Sequence, residues 1–404
     1  MKTIQEALRI IQAHQPEREK EWIPLDEALQ RILAEDIPAP EPSPRYTNSA
    51  MDGFAVRWQD VEAAASGQTV ELAIVGESQA GEPFVGTVGS GQAVRINTGA
   101  MLPDGADTVV PIEEVDEKDQ RIVVRKIGRK HQHVRFRGEE FERGKIVLNC
   151  GDSLTPARLG LLASLGIHTV PVFRQARVGI VVTGTELVPL EADIQPWQIR
   201  DSNGIMLMAA VLNSGGKVVF SERTGDQLQE IKRLIQKAKE NTDIIIFSGG
   251  VSVGPHDLVK QAAQEEGFEP LFWGVRQKPG KPLFVAHQAG SLFFGLPGNP
   301  VSALNCYTYY VHPIIQKMGG REFSWQIRQG LLAGPVRNAG SRVNFLRVRT
   351  EKKASGGILV HPLDKQNSHM LTSIARADGF ILLQPDSSHK EGETVEVFLY
   401  PWRT

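Results

Sequence analysis

From Arg177 onward the chain alternates short apolar segments with amphipathic ones, and this alternation restricts the fold more than any other feature. Strands are predicted at 177–182, 217–220 and 244–247, separated by helices at 204–212 and 227–239. The second helix carries Leu228, Ile231, Leu234, Ile235 and Ala238 on one face. Uninterrupted apolar strands linked by amphipathic helices imply βαβ units, and hence a parallel-type sheet covered on both faces. A helix from Asp257, strands near Leu271 and at 283–286, a hairpin into 292–294 and a helix at 301–318 complete an α/β domain expected over 175–325.

The flanking regions read differently. Ile4, Ala7, Leu8 and Ile11 form the stripe of an amphipathic helix, and a second helix is predicted from Leu25 to Leu33, with Asp26 and Glu27 in its first turn. Four prolines between Pro38 and Pro44 then break regular structure. Residues 45–139 are punctuated by glycine, with short Val/Ile runs at 69–75, 93–97, 108–112 and 121–124, and read as an inserted small β domain. Residues 140–174 mix a strand at 146–148 with a helix at 157–165, and are grouped with 1–44 as one N-terminal domain. Past Arg321 the helical signal stops, and strands at 345–349, 380–383 and 394–399 give a C-terminal β domain over 326–404.

Composition narrows the function classes. The chain has 404 residues, with 45 Lys and Arg against 47 Asp and Glu, which disfavours a dedicated nucleic-acid binder. Cys150 and Cys306 make no disulfide framework and no Cys/His ligand spacing, so a cytoplasmic protein is expected. No apolar run approaches the length of a membrane span, so no membrane role is expected. About a quarter of the glycines and prolines fall between residues 249 and 300, an eighth of the chain, which marks an unusual concentration of loops.

In a parallel α/β sheet, ligands bind beyond the carboxyl ends of the strands. The loops expected there are Thr183-Gly184-Thr185-Glu186, the run from Ser248 through Gly249, Gly250 and Ser252 to Gly254, Lys278-Pro279-Gly280-Lys281-Pro282, and Gly295-Leu296-Pro297-Gly298-Asn299-Pro300. The Ser248–Gly254 loop offers backbone N–H groups and two hydroxyls before a helix, as phosphate binding requires, although the same glycines would also serve a tight turn alone. Asp257 suits either a helix cap or a Mg²⁺ ligand, and Glu186, Asp226 and Asp257 together suit a metal-assisted phosphate site. Lys278 and Lys281, held between prolines and next to Arg276, form a cationic spot with no acid between residues 270 and 314.

Gly250-Val251-Ser252-Val253-Gly254 matches the G-x-S-x-G nucleophile elbow, but Ser252 lies five residues beyond the predicted strand end and Pro255 follows, which argues against a hydrolase. No Walker A, dinucleotide fingerprint or HExxH motif is present.

Several longer segments together resemble the molybdopterin molybdenumtransferase family, related to the E domain of gephyrin. They are Ser49-Ala50-Met51-Asp52-Gly53-Phe54-Ala55, Asn97-Thr98-Gly99-Ala100, Leu102-Pro103-Asp104-Gly105-Ala106-Asp107, Asp201-Ser202-Asn203, and the Thr183, Ser248, Lys278 and Gly295 loops. The resemblance implies an elongated homodimer of four domains, with a three-layer molybdopterin-binding fold at the centre and a β-barrel-like C-terminal domain. It implies insertion of molybdate into adenylylated molybdopterin with Mg²⁺ and release of AMP. An adenylyltransferase partner and molybdoenzyme acceptors are implied too.

By motif, the resemblance makes Glu186, Asp226 and Asp257 metal and nucleotide residues, and Asp52 and Thr98 active-site contributors shared between subunits. Ser248, Gly249, Gly250, Ser252, Gly254, Pro297 and Asn299 then bind substrate. Lys278, Lys281, Ser302, Arg347 and Ser373 form the oxyanion and dithiolene side. The chain departs from the family pattern at Glu140, Arg200 and Pro255-His256. The alternatives are a molybdopterin adenylyltransferase, disfavoured by the extra β domains, and a gephyrin-like scaffold.

Overall fold

The computed structural model of the chain describes residues 1–251, 258–354 and 356–403. The chain forms two compact units: residues 35–168, and residues 1–34 together with 169–404.

The larger unit is built on a six-stranded sheet in the order Lys217–Thr224, Arg177–Thr183, Ile244–Ser248, Ser291–Leu296, Phe284–Gln288, Glu269–Trp273. The first four strands are parallel, as the buried apolar runs require. The last two are antiparallel to their neighbours, because the tight connection at Gln288–Ser291 makes a hairpin rather than a crossover, so the sheet is mixed at that edge. Helices Ile4–Ala13 and Ser202–Asn213 and the segment 300–318 pack on one face, where Ile4, Leu207 and Tyr310 share a core with Val178, Ile180 and Ile246. Helices Leu228–Lys239 and Leu258–Glu265 cover the other face through Ile231, Leu234, Val259 and Ala262. This gives three layers. The first helix, grouped from sequence with residues 140–174, packs on this sheet, and Lys2 bridges to Val275.

The predicted second helix shrinks to a single turn at Leu25–Glu27. The backbone just beyond it is recruited elsewhere: Ala34 N–H donates to Pro171 O, Phe173 N–H donates to Ile32 O, and Leu33 bridges to Val172. The predicted helix at 301–318 is interrupted by a wide π turn at Tyr307–Val311 between Pro300–Cys306 and His312–Met318. Pro313 supplies no N–H and crowds the carbonyl four residues earlier, which a widened turn relieves.

The C-terminal strands Val343–Lys352, Ile358–Pro362, Ile327–Leu332, Thr394–Leu399 and Gly379–Leu383 pair in that order and close back onto Val343–Lys352, a five-stranded barrel around Leu332, Val348, Val360 and Val397. The two-residue strand Gln277–Lys278 pairs with Val343 and Asn344, so the barrel continues onto the lysine loop of the α/β part.

In the smaller unit, a six-stranded sheet runs in the order Thr108–Pro111, Gly53–Val56, Gln92–Ile96, Val70–Ser78, Arg121–Val124, Val115–Lys118. Because Gly53 lies opposite Ile96, the residues flanking these strand ends, Asp52 and Thr98, meet at one end of the sheet.

Two buried polar clusters brace the larger unit. Asp243 receives a bidentate pair of hydrogen bonds from Arg174 at 2.9 and 3.0 Å and a backbone bond from Arg177 at 2.7 Å. On the other face, Ser214 Oγ donates to Ala210 O at 2.7 Å, so the nearby Tyr307 hydroxyl and His312 Nδ1 must both donate to Ser214 Oγ. That arrangement places a proton on His312 Nδ1. Burial, and then the charge of Arg321, push its pKa down to about 4. The unfolded chain binds this proton near pH 6.5, whereas the folded chain resists it down to about 4. The stability is therefore whole above pH 6.5 and lost as pH falls towards 4, by roughly 3 kcal/mol in all. His312→Gln should flatten this part of the stability profile, as read by chemical denaturation at pH 7.5 and pH 5.

Candidate functional site

The chain passes from the Arg177–Thr183 strand to Lys217–Thr224 on one side, then returns to Ile244–Ser248 on the other. This reversal opens a crevice at the carboxyl ends of the 177 and 244 strands, where ligands bind in open α/β sheets. Gly249 has φ +103°, and a Cβ there would stand 2.5 Å from Thr183 O and 2.6 Å from Thr183 Oγ1. A Cβ on Gly298 would lie only 3.7 Å from Gly249 Cα. The loops after strands 177, 244 and 291 therefore meet backbone to backbone.

The side chain of Asn203 ties these loops together. Its Nδ2 donates to Ser248 Oγ and to Gly298 O, both at 2.8 Å, and Ser248 Oγ donates on to Pro297 O at 3.3 Å. Asp201 caps the helix that carries Asn203, accepting from Gly204 N–H at 2.8 Å. Two buried oxygens at this junction, Thr183 Oγ1 and Asn203 Oδ1, have no partner.

Around the junction lies a cavity with two lobes that share Thr183, Glu186, Gly298 and Asn299. One lobe, about 330 Å³, is lined further by Gly184, Asp226, Gly249, Gly250, Pro282 and Pro297. The other, about 520 Å³, is lined by Leu187, Ile199, Asp201, Asn203 and His369 among others. The first lobe presents backbone groups of glycine loops and two carboxylates, Glu186 and Asp226. That donor set suits a phosphate-bearing ligand with a hard divalent cation, which takes one or two carboxylates and leaves the remaining positions to water and phosphate. Among the described residues no group of three His, Cys, Asp or Glu side chains is placed to hold a metal.

The cationic loop approaches from the hairpin side. Gly280 has φ +92°, and a Cβ there would stand 2.5 Å from Cys306 Sγ and 2.8 Å from Gln277 Nε2, so the loop is packed tightly onto the Pro300–Cys306 helix. Pro282 reaches the cavity, while Lys278 and Lys281 are exposed along the loop. Ser302 is buried in that helix.

The other expected residues fall as follows. Ser248, Gly249, Gly250, Pro297 and Asn299 belong to the junction and the cavity wall. Ser252, Gly254 and Asp257 lie outside the described residues, as do Pro255 and His256. Arg347 and Ser373 are buried and do not line the two lobes. Arg347 Nη2 donates to the carbonyls of Lys365 at 3.3 Å and Asn367 at 3.5 Å, while its Nε lacks a partner, and Ser373 Oγ donates to Met370 O at 2.7 Å. Burial draws the Arg347 pKa below the ordinary arginine range.

In the smaller unit, Thr98 N–H donates to Asp52 Oδ1 at 2.6 Å. This bond, more than any other influence, holds the exposed Asp52 carboxyl below the usual carboxylate range. Of the departures, Arg200 donates from Nε to Leu190 O and from Nη2 to Ala192 O, bracing the loop between the parallel strands Leu187–Val188 and Ile199–Arg200, and Glu140 accepts from the Ser43 hydroxyl.

Sequence reasoning placed Thr183 in an expected ligand loop but gave no site role to Arg200, Asp201, Asn203 or His369, which also line the cavity. The Asp201-Ser202-Asn203 segment carried a signal, an N-cap with an amide two residues on. His369 carried none, since it arrives from the distant C-terminal part.

Family models match almost the whole chain in order. They are the MoeA N-terminal region (domain I and II) over residues 2–166, a probable molybdopterin binding domain over 179–317, and the MoeA C-terminal region (domain IV) over 329–400. The chain belongs to the MoeA family. Its relatives include a molybdopterin molybdenumtransferase of Haemophilus influenzae, 37% identical with 93% of each chain covered. Another, of Bacillus subtilis, is 32% identical over 99% of this chain and 96% of its own length. The solved structure of a molybdopterin biosynthesis MoeA protein from Pyrococcus horikoshii is similar with a TM-score of 0.85 at 34% identity, covering 98% of both chains. Among the described residues of this MoeA chain, no helix is long and apolar enough to cross a membrane.

The junction yields a direct prediction. Gly249→Ala forces a Cβ against the Thr183 backbone at a left-handed φ, so it should cost about 2 kcal/mol or more. Thermal unfolding should show a corresponding drop, with loss of ligand binding.

Proposed function

We propose that this MoeA protein is a molybdopterin molybdenumtransferase that inserts molybdate into adenylylated molybdopterin with release of AMP. The observation that carries the reading is the two-lobed cavity at the sheet reversal, in which glycine backbone and the carboxylates Glu186 and Asp226 share one lobe. Membership of a family whose relatives carry this name supports it. The family models spanning both flanking regions favour it over an adenylyltransferase.

In this reading Glu186 and Asp226, with Asp257 assigned by resemblance, hold Mg²⁺. When bound, Mg²⁺ neutralises phosphoryl charge and orients the adenylate linkage. The chain's own residues do the rest. Backbone groups at Gly249 and Gly250 cradle the phosphate, and with Ser252 and Gly254 they form the loop that resemblance assigns to substrate. Pro297 and Asn299 wall the cleft. Lys278 and Lys281, with Ser302, Arg347 and Ser373 by resemblance, supply the positive and hydroxyl groups that a tetrahedral oxyanion requires. Catalysis is then mainly positioning and charge neutralisation.

Asp52 and Thr98 enter as contributors in a homodimer whose subunits share sites. A transfer of product to molybdoenzyme acceptors, and receipt of substrate from an adenylyltransferase, follow from the same reading. The four-domain division at residues 1–44 with 140–174, 45–139, 175–325 and 326–404 is part of it.

The test is AMP release from adenylylated molybdopterin, with molybdate and Mg²⁺ varied independently. Glu186→Gln and Asp226→Asn should each raise the Mg²⁺ requirement by about tenfold or more. Lys278→Ala should instead raise the KM for molybdate and leave AMP binding unchanged. Absence of molybdate-dependent AMP release by the wild-type protein would refute the function. An unaltered Mg²⁺ requirement in both carboxylate variants would refute only the metal assignment.

A further inference from the structure

The lysine loop is held at its middle by side chains. Its two ends are tied through backbone: Gln277–Lys278 pairs with Val343 and Asn344, and both Val275 N–H and Leu283 N–H donate to Lys281 O at 3.0 Å. Between the exposed Lys278 and Lys281, Pro279 and Gly280 are buried. Gly280 O accepts from Gln277 Nε2 at 3.1 Å and from the Cys306 thiol at 3.5 Å. Gln277 Nε2 gives its second hydrogen to Cys306 Sγ at 3.4 Å. The other end of the same amide is met by Tyr310, whose hydroxyl donates to Gln277 Oε1.

The donors and acceptors of this cluster determine one another. Gly280 O only accepts, so Gln277 must turn its nitrogen towards it, which leaves the amide oxygen for the Tyr310 hydroxyl. Gln277 and Tyr310 are both 0% exposed, so bulk water cannot stand in for either partner. Burial, outweighing the hydrogen bond from Gln277, pushes the Cys306 thiol well above its ordinary value and keeps it protonated, as donation to Gly280 O requires. Tyr310 itself lies in the π turn Tyr307–Val311. Such a turn takes in one residue more than an α turn and so redirects the side chains it carries, which is why π turns recur at functional sites.

We propose that Gln277 and Tyr310 are positioning residues of the lysine loop. The hydroxyl orients the amide, the amide fixes Gly280, and Gly280 sets the separation of the two ammonium groups that flank it. Neither residue lines either lobe of the cavity, so both act through the loop. The use of that separation, to hold a tetrahedral oxyanion, rests on the proposed function, whereas the fixing of the loop does not.

The chain contains two thiols, the exposed Cys150 and the buried Cys306. In the full-length protein carrying Cys150→Ser, the rate at which dithiodipyridine labels Cys306 reads the opening of the loop packed against it. Tyr310→Phe keeps the ring and leaves Gln277 Oε1 buried without a donor, so labelling should accelerate about tenfold or more. Gln277→Glu removes both hydrogens given to Gly280 and Cys306 and should accelerate it further. In turnover, each variant should raise the KM for molybdate about fivefold or more, with kcat and the calorimetric affinity for AMP nearly unchanged. A merely structural role would instead lower the melting temperature and scale kcat with the folded fraction, leaving the KM for molybdate where it was.

Labelling of Cys306 at the wild-type rate in Tyr310→Phe would overturn the proposal, as would faster labelling with an unchanged KM for molybdate. Tyr310→Phe removes a single oxygen, so the test stands even where Gln277→Glu fails to fold. Absence of molybdate-dependent AMP release by the wild-type protein would remove the function, and the labelling rates would still decide whether Tyr310 and Gln277 hold the loop.

Discussion

The site depends on one side-chain amide. Three loops leave the sheet at neighbouring strand ends with so little side chain that Gly249 lies against the Thr183 backbone and Gly298 against Gly249. Bare backbone at such spacing has few contacts of its own to hold it. The two donors of Asn203 supply the link, one to Ser248 and one to Gly298, from a helix whose N-terminus Asp201 caps. Because the amide nitrogen is fully occupied in bracing, the oxygen is left buried without a donor.

The charged groups follow a different logic. Glu186, Lys278 and Lys281 are exposed in this structure, away from the desolvation penalty that a buried charge meets. A ligand that covers them lowers the local dielectric, and each attraction to a phosphate or a tetrahedral anion strengthens as water leaves. Acidic groups and glycine backbone meet at the strand ends, while the lysines arrive on a separate loop stiffened by Gly280 against Cys306. Keeping the two signs on separate loops prevents them from neutralising one another across a short ion pair.

Much of this was legible in the sequence because it arises from local rules. Strands 177–183 and 244–248 are buried on both faces and therefore read as unbroken apolar runs, and glycines 249, 250 and 298 stand where backbone must approach backbone. The failures have tertiary causes. Residues 28–33 have a helical pattern, but the backbone of residues 32–34 is recruited by the strand Thr169–Phe173, a pairing partner well over a hundred residues away. The helix at 300–318 contains a proline whose accommodation by a π turn depends on packing. His369 gave no functional signal of its own, since a polar residue acquires a role only from what the fold places opposite it. The fold buries the guanidinium of Arg347 against the carbonyls of a loop.

That burial explains why a barrel belongs beside this cavity. The strand Val343–Lys352 pairs at its start with Gln277–Lys278, which fixes the backbone from which Lys278 projects. Four residues along, Arg347 holds the loop that carries Ser368 to Asn299 and His369 to the cavity rim. One strand therefore sets the position of the cationic loop and of the imidazole together. The strand cannot slide relative to the barrel, because closure pairs it on both sides, with Ile358–Pro362 and Gly379–Leu383. A register slip would turn every inward side chain out of the Val348 and Val360 core. Closing the sheet thus supplies what an exposed edge strand would lack: a rigid reference that holds two otherwise unrelated loops.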